Sequence, residues 1–153
     1  MLFDEEMMLL AIEEAKTAAD MGEVPVGAVI TNESGEVVAR GHNVREAKGS
    51  PIAHAEIEAI CAAAEKLGSR RLTGCTLYVT LEPCPMCAGA VMNAGLKRVV
   101  YGAFDEAGGA CSSVIAMYEH RFPYVPLVRS RVLEKECGAL MTEFFSGIRT
   151  NKT

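Results

Sequence analysis

The chain has 153 residues, half of them apolar, and a formal net charge of -5. That length suits a single domain, here residues 1–153, large enough to bury about 70% of its unfolded surface. No apolar run approaches the ~18 residues of a membrane span. Asp4, Glu5 and Glu6 near the start leave no basic region of a secretory signal.

Six cysteines in a chain with an ordinary core fit free thiols plus a metal site better than three disulfides. The expected compartment is the cytoplasm. The acidic balance argues against a nonspecific nucleic-acid coat but leaves room for a local basic patch. Its candidates are Arg40, Arg45, Lys48, Arg70, Arg71, Arg121, Arg129, Arg131, Arg149 and Lys152. For most of these, a scattered solvated charge is the expected state.

In chain order, residues 5–20 read as an amphipathic helix, with Met8, Ile12, Ala15 and Ala19 on one stripe and Gly22 as its C-cap. Residues 26–31 and 36–41 form a hairpin around Asn32-Glu33-Ser34-Gly35. The stretch 45–50 reads as polar loop, and 54–67 as an alanine-rich helix closed by Gly68. A buried strand over 76–80 leads to a helix over 85–94 closed by Gly95. A strand over 99–101 follows, then a glycine-rich turn over 102–109 and a short helix over 112–118. The last strand is expected over 123–128, and a closing helix over 132–148 with Leu133, Cys137, Leu140, Met141, Phe144 and Phe145 inward. Strands alternating with helices predict an α/β fold, a mixed sheet covered on both faces.

The chemistry sits in two short stretches, Pro51-Ile52-Ala53-His54-Ala55-Glu56 and Leu81-Glu82-Pro83-Cys84-Pro85-Met86-Cys87. Cysteines three apart at a helix start can offer both sulfurs to one cation, and a helix N-terminus favours the thiolate form. Pro85 belongs at such a start. With His54 they make one nitrogen and two sulfur ligands, a set that suits zinc and leaves a fourth position open, as catalytic zinc sites do. Because His54 and Glu56 are two apart, both can reach one ion only if it lies off the helix N-terminus. Glu56 then stands beside the zinc as an uncoordinated carboxylate. Cys61 is two helical turns, roughly 10 Å, beyond His54 and cannot share its ion. Cys61, Cys75, Cys111 and Cys137 are expected to pack as small hydrophobes, and His42 and His120 to be structural.

His54-Ala55-Glu56 and Pro83-Cys84-Pro85-Met86-Cys87 fit the H-x-E…P-C-x-x-C signature of zinc nucleobase deaminases. Together with the stretches VPVGAVI, GHN, AHAEIEAI, RLTGCTLYVTLEPCPMCAGAVM and RVVYGA, the chain resembles the bacterial tRNA adenosine deaminases over roughly residues 5–149. The resemblance implies a three-layer α/β/α fold around five strands. It implies one zinc per chain on His54, Cys84 and Cys87, with Glu56 as proton shuttle in the hydrolysis of adenosine to inosine at the wobble position of an anticodon loop. It further implies a homodimer, a tRNA anticodon stem-loop as partner, and substrate contacts from Asn43, Arg45, Phe145 and Arg149. Asn43 also fits a strand-end turn.

The periphery departs from that family. Asp105-Glu106-Ala107 lacks the lysine usual there, and Phe122-Pro123-Tyr124-Val125 replaces an Asn-His pair. A deaminase of a free base or nucleoside on the same scaffold therefore stays open, as does a zinc-stabilised binding module. The uncoordinated Glu56 argues against the module, since a structural zinc prefers four protein ligands.

Overall fold

In a computed structural model, which describes the backbone of residues 1–151 and the side chains of residues 1–147, the sheet has five strands in the order β2-β1-β3-β4-β5. Strands β1 (Gly27–Thr31) and β2 (Val37–His42) form the antiparallel hairpin, with a bulge between Ile30 and Thr31. Strand β3 (Thr76–Leu81) runs antiparallel to β1 and parallel to β4 (Arg98–Ala103), which in turn pairs parallel with β5 (Leu127–Arg129). The mixed α/β sheet expected from the sequence is therefore present.

Strand alternation sorts the core into two layers. Ala28, Ile30, Leu77, Val79, Val99 and Tyr101 face α3 (Ala55–Leu67) and α4 (Pro85–Ala94). Val29, Tyr78 and Val100 face α1 (Phe3–Asp20) and α5 (Glu134–Asn151). Helix α3 lies close to the sheet because its inward stripe is Ala55, Ala59 and Ala63, all fully buried. Gly41 completes that fit, since a Cβ there would sit 2.6 Å from the Ala55 carbonyl oxygen.

Several elements differ from the sequence expectation. Residues 45–50 hold a single helical turn, α2 (Arg45–Lys48), because the buried Glu23 carboxylate accepts from the Glu46 and Ala47 amides. Strand β4 takes in Gly102 and Ala103, residues expected in a turn. Residues 112–118 are not a helix; only a 3-10 turn, Met117–Glu119, forms. Strand β5 has three residues instead of six, since Pro123 and Pro126 offer no amide for pairing. Helix α5 starts at Glu134 because Arg131 (φ 66°) and Leu133 (φ 52°) are left-handed. Phe145, expected inward, is 41% exposed. Cys61 is exposed on the outer side of α3, two residues from the inward alanines, and does not pack as a core hydrophobe.

Asp4 ties α1 to the far side of the sheet. Its carboxylate accepts from the Tyr78 hydroxyl (2.8 Å), Arg98 (2.6 Å) and Arg129 (2.6 Å). Burial works to raise its pKa, but the bonds from Arg98, Tyr78 and Arg129 together hold it below the usual 3.8. A carboxylate with a lowered folded-state pKa contributes stability above its unfolded pKa and loses it as pH falls through the folded value. Asp4→Ala is therefore expected to lower stability by about 2 kcal/mol at pH 7, toward the low end for charge-assisted bonds because both arginines are partly solvated. In urea titrations the gap to wild type should narrow below about pH 4; a gap independent of pH would rule out the carboxylate as its source.

Candidate active site

Two helix N-termini converge at the carboxyl end of β3. His54 is the N-cap residue of α3 and Cys84 the N-cap residue of α4, with Pro85 at the first helical position and Cys87 in the first turn. His54 Nδ1 lies 3.7 Å from Cys84 Sγ and 3.6 Å from Cys87 Sγ. Among the described residues, these three make the one cluster whose ligand atoms all lie within 4.8 Å of one another. A tetrahedron with the usual ~2.0 Å Zn–N and ~2.3 Å Zn–S bonds has edges of about 3.5–3.8 Å. The nitrogen–sulfur spacings match those edges, so this donor set fits zinc.

The electrostatics set the two thiols apart. The Cys84 thiol is held down to about 4, first by a hydrogen bond from Cys87 and then, against burial, by one from His54. The same bond to Cys84, then burial, pushes the Cys87 thiol up, and the bond to Cys84 raises His54. Glu56, in the first turn of α3, is 4% exposed, and burial pushes its carboxyl up to about 7. A carboxyl balanced near neutrality can both take and give a proton.

His54, Cys84 and Glu56 line a cavity of about 200 Å³ with apolar walls from Val24, Val26, Leu81 and Met141. That is smaller than the ~300–1,000 Å³ typical of drug-sized ligands and suits one nucleobase. The buried Asn43 and the exposed Arg45 also line it. Asn43 is buried: its Nδ2 donates to the Val24 carbonyl (3.3 Å) and its Oδ1 accepts from the Arg45 amide (3.2 Å). It is thus the turn residue as well as a cavity residue, and one amide N–H and one lone pair remain for a ligand. Phe145 does not line the cavity; it packs edge-on against Phe144. The Arg149 side chain lies outside the described residues.

Two cavity residues, Met141 and Asp105, were not visible as such in the sequence; Glu82 reads there as part of the pocket wall, but its hold on the neighbouring loop does not show. Met141 reads as core by periodicity but reaches the cavity from α5. Asp105 enters from the loop after β4. Glu82, beside Pro83 and Cys84, is 2% exposed and holds that loop. Its Oε1 accepts from the Asp105 amide (3.1 Å), and its Oε2 from the amides of Cys111 (3.0 Å), Ser112 (2.8 Å) and Ser113 (3.0 Å). The Ser113 hydroxyl donates as well. Burial alone would raise the Glu82 carboxyl, but the bonds from Ser113, Ser112 and Asp105 keep it below the ordinary range. Gly109 makes the approach possible, since a Cβ there would lie 2.2 Å from the Glu82 carboxyl carbon. A carboxylate directly before Pro-Cys is the only trace of this in the sequence.

Residues 1–103 match the cytidine and deoxycytidylate deaminase zinc-binding region. The chain belongs to the cytidine and deoxycytidylate deaminase family. This deaminase is 51% identical to the tRNA-specific adenosine deaminase of Bacillus subtilis, over 97% of its own length and 92% of that protein's. It superposes with a TM-score of 0.85 and 42% identity on a solved structure from work on A-to-I editing by tRNA:A34 deaminases, covering 88% of this chain and 98% of the other. The guanine deaminase from Nitrosomonas europaea gives a TM-score of 0.74 at 25% identity, over 92% of this deaminase and 83% of that chain. The five-stranded α/β fold is the fold of these enzymes. No described helix is long and apolar enough to cross a membrane.

Proposed function

We propose that this protein is a zinc-dependent hydrolytic deaminase, one domain over residues 1–153, that converts adenosine to inosine at the wobble position of a tRNA anticodon loop in the cytoplasm. The observation that carries the chemistry is the cluster of His54, Cys84 and Cys87 beside a base-sized cavity that His54, Cys84 and the buried Glu56 line. The substrate follows from the likeness to the Bacillus subtilis tRNA-specific adenosine deaminase over nearly the whole of both chains.

His54 Nδ1 and the sulfurs of Cys84 and Cys87 would hold one zinc. When bound, zinc supplies a Lewis acid that brings the pKa of water toward neutrality. The remaining work falls to the protein. Apolar walls from Val24, Val26 and Leu81 admit the base and exclude bulk water. Asn43 orients it through the amide capacity its turn leaves unused. A Glu56 carboxylate oxygen takes a proton from the water that adds to C6 and delivers it to N1 of the ring. It then takes the proton of the new C6 hydroxyl and hands it to the amino group, so that the C6 carbonyl forms as the C6–N6 bond breaks and ammonia leaves. The exposed Arg45, with Phe145 and Arg149 on the last helix, is proposed to contact the RNA beyond the flipped base.

A homodimer is part of this reading. The outer face of α3 and α4 carries an apolar groove of about 410 Å³ lined by Ile57, Ile60, Cys61, Ala64, Ala90 and Ala94 among others. A second copy would cover it. Sedimentation showing a single 16.4 kDa species at micromolar concentration would remove the proposal.

A second reading, deamination of a free purine, is favoured by the likeness to the Nitrosomonas europaea guanine deaminase and by Ala107 and Tyr124. One assay separates the two: zinc-loaded protein incubated with an anticodon stem-loop and with a panel of bases and nucleosides. Inosine in the stem-loop is the expected product. Turnover of a free base with an unreacted stem-loop would put the second reading in its place.

A further inference from the structure

Arg131 is the residue of the β5–α5 turn that the turn itself does not account for. The turn is docked firmly: Val132 is buried and its amide donates to the Tyr101 carbonyl (3.3 Å), while Cys137 packs behind it in the core. Yet Arg131 has a φ of 66°, in the left-handed region where glycine is favoured and a long side chain carries strain. Its guanidinium carbon sits 5.3 Å from the centre of the Phe104 ring, which packs edge-on against the buried Tyr101. A strained backbone and an aromatic ledge thus fix a cation that a glycine at this position would forgo.

Its place gives the reason. Arg131 follows the carboxyl end of β5, and Phe104 follows the carboxyl end of β4, next to the cavity residue Asp105. In parallel sheets of this kind the ligand sits at that end. Arg131 therefore lies at the same end of the sheet as the cavity, over the residue that precedes the lining residue Asp105 and the loop where Ala107 leaves no cation. Among the described residues its one ion pair is a loose contact with Glu134, 3.8 Å apart and exposed on both sides, with Arg131 71% exposed. Such a pair is readily exchanged for a stronger anion. A guanidinium over a ring keeps N–H donors available, and phosphate takes them in pairs.

We infer that Arg131 is an RNA-phosphate contact of this enzyme, a cation held by Phe104 at the active-site end of the sheet and set to grip the backbone next to the flipped adenosine. This rests on the anticodon-loop substrate proposed above.

The test is fluorescence anisotropy of a fluorescein-labelled anticodon stem-loop at a series of salt concentrations, with wild type, Arg131→Gly, Arg131→Lys and, as a control on the far strand β2, Arg40→Gly. Glycine suits the left-handed backbone, so Arg131→Gly should melt at or above the wild-type temperature. It is expected to weaken stem-loop binding several-fold and to flatten the plot of log K against log salt by about 0.7–0.9, the loss of one phosphate contact. Lysine should restore the slope, and Arg40→Gly should change neither quantity. A purely structural role would move the melting temperature and leave the slope alone. Wild type that binds with an affinity and slope shared by Arg131→Gly overturns the inference while leaving the substrate intact. Wild type that does not bind the stem-loop at all overturns the substrate reading, and this inference with it.

Discussion

Replacing Glu56 by alanine is expected to lower turnover by ~10²–10⁴, the usual loss when a positioned acid–base group is removed, with zinc content and fold unchanged. Glu56 is not one of the three clustered donors; it lies beside them, 4% exposed, with its carboxyl pushed up to about 7 by burial. Its removal deletes proton transfer without deleting a metal ligand. Elemental analysis, a thermal melt and a rate measurement on the same preparation separate the possibilities. Near-normal turnover would mean that another group carries the protons. Loss of zinc together with activity would make Glu56 part of the metal site instead.

The second large effect is expected from Cys87→Ser, which should strip most of an otherwise near-equimolar zinc and take activity with it. Cys87 is fully buried and lies 3.6 Å from His54 Nδ1, so no solvent-exposed substitute can reach its position. With three protein donors, losing one leaves two, and zinc sites are seldom held by so few. The affinity loss should exceed the ~10–100-fold that follows changes to a ligand's outer partners. Cys84→Ser and His54→Ala should behave alike. Zinc content unchanged in all three single mutants would sink the assignment of the metal to this cluster.

How much of this was legible in the sequence depends on whether the cause was local. The paired cysteines, the proline at the helix start and the offset of Glu56 from His54 are short-range features; the structure clusters the donor atoms of His54, Cys84 and Cys87 and sets Glu56 in the cavity lining with His54 and Cys84. Hydrophobic alternation likewise predicts the buried strands, because each face meets its own helix layer. Non-local causes were hidden. Gly102 reads as a turn residue, yet it sits in β4 because α5 comes so close that a Cβ would meet Cys137 Sγ at 2.3 Å. Residues 112–118 read as helical, but Glu82, some thirty positions earlier, takes the Ser112 and Ser113 amides. Met141 satisfies the spacing of a core residue whether it meets the core or a cavity, and periodicity cannot tell these apart.

The grip of Glu82 on residues 105–113 separates two evolutionary tasks. A single carboxylate fixes the loop from inside, through main-chain amides that every residue type but proline supplies. Its outward positions, Glu106 and Ala107, are exposed and take no part in that fixation. They can therefore be exchanged without disturbing the Glu82 bonds that hold the loop. The loop works as a socket with replaceable fittings: a scaffold committed to one hydrolysis can be refitted for a different RNA, or for a free base, by point changes on its outer surface. Ala107 is one position open to such a change.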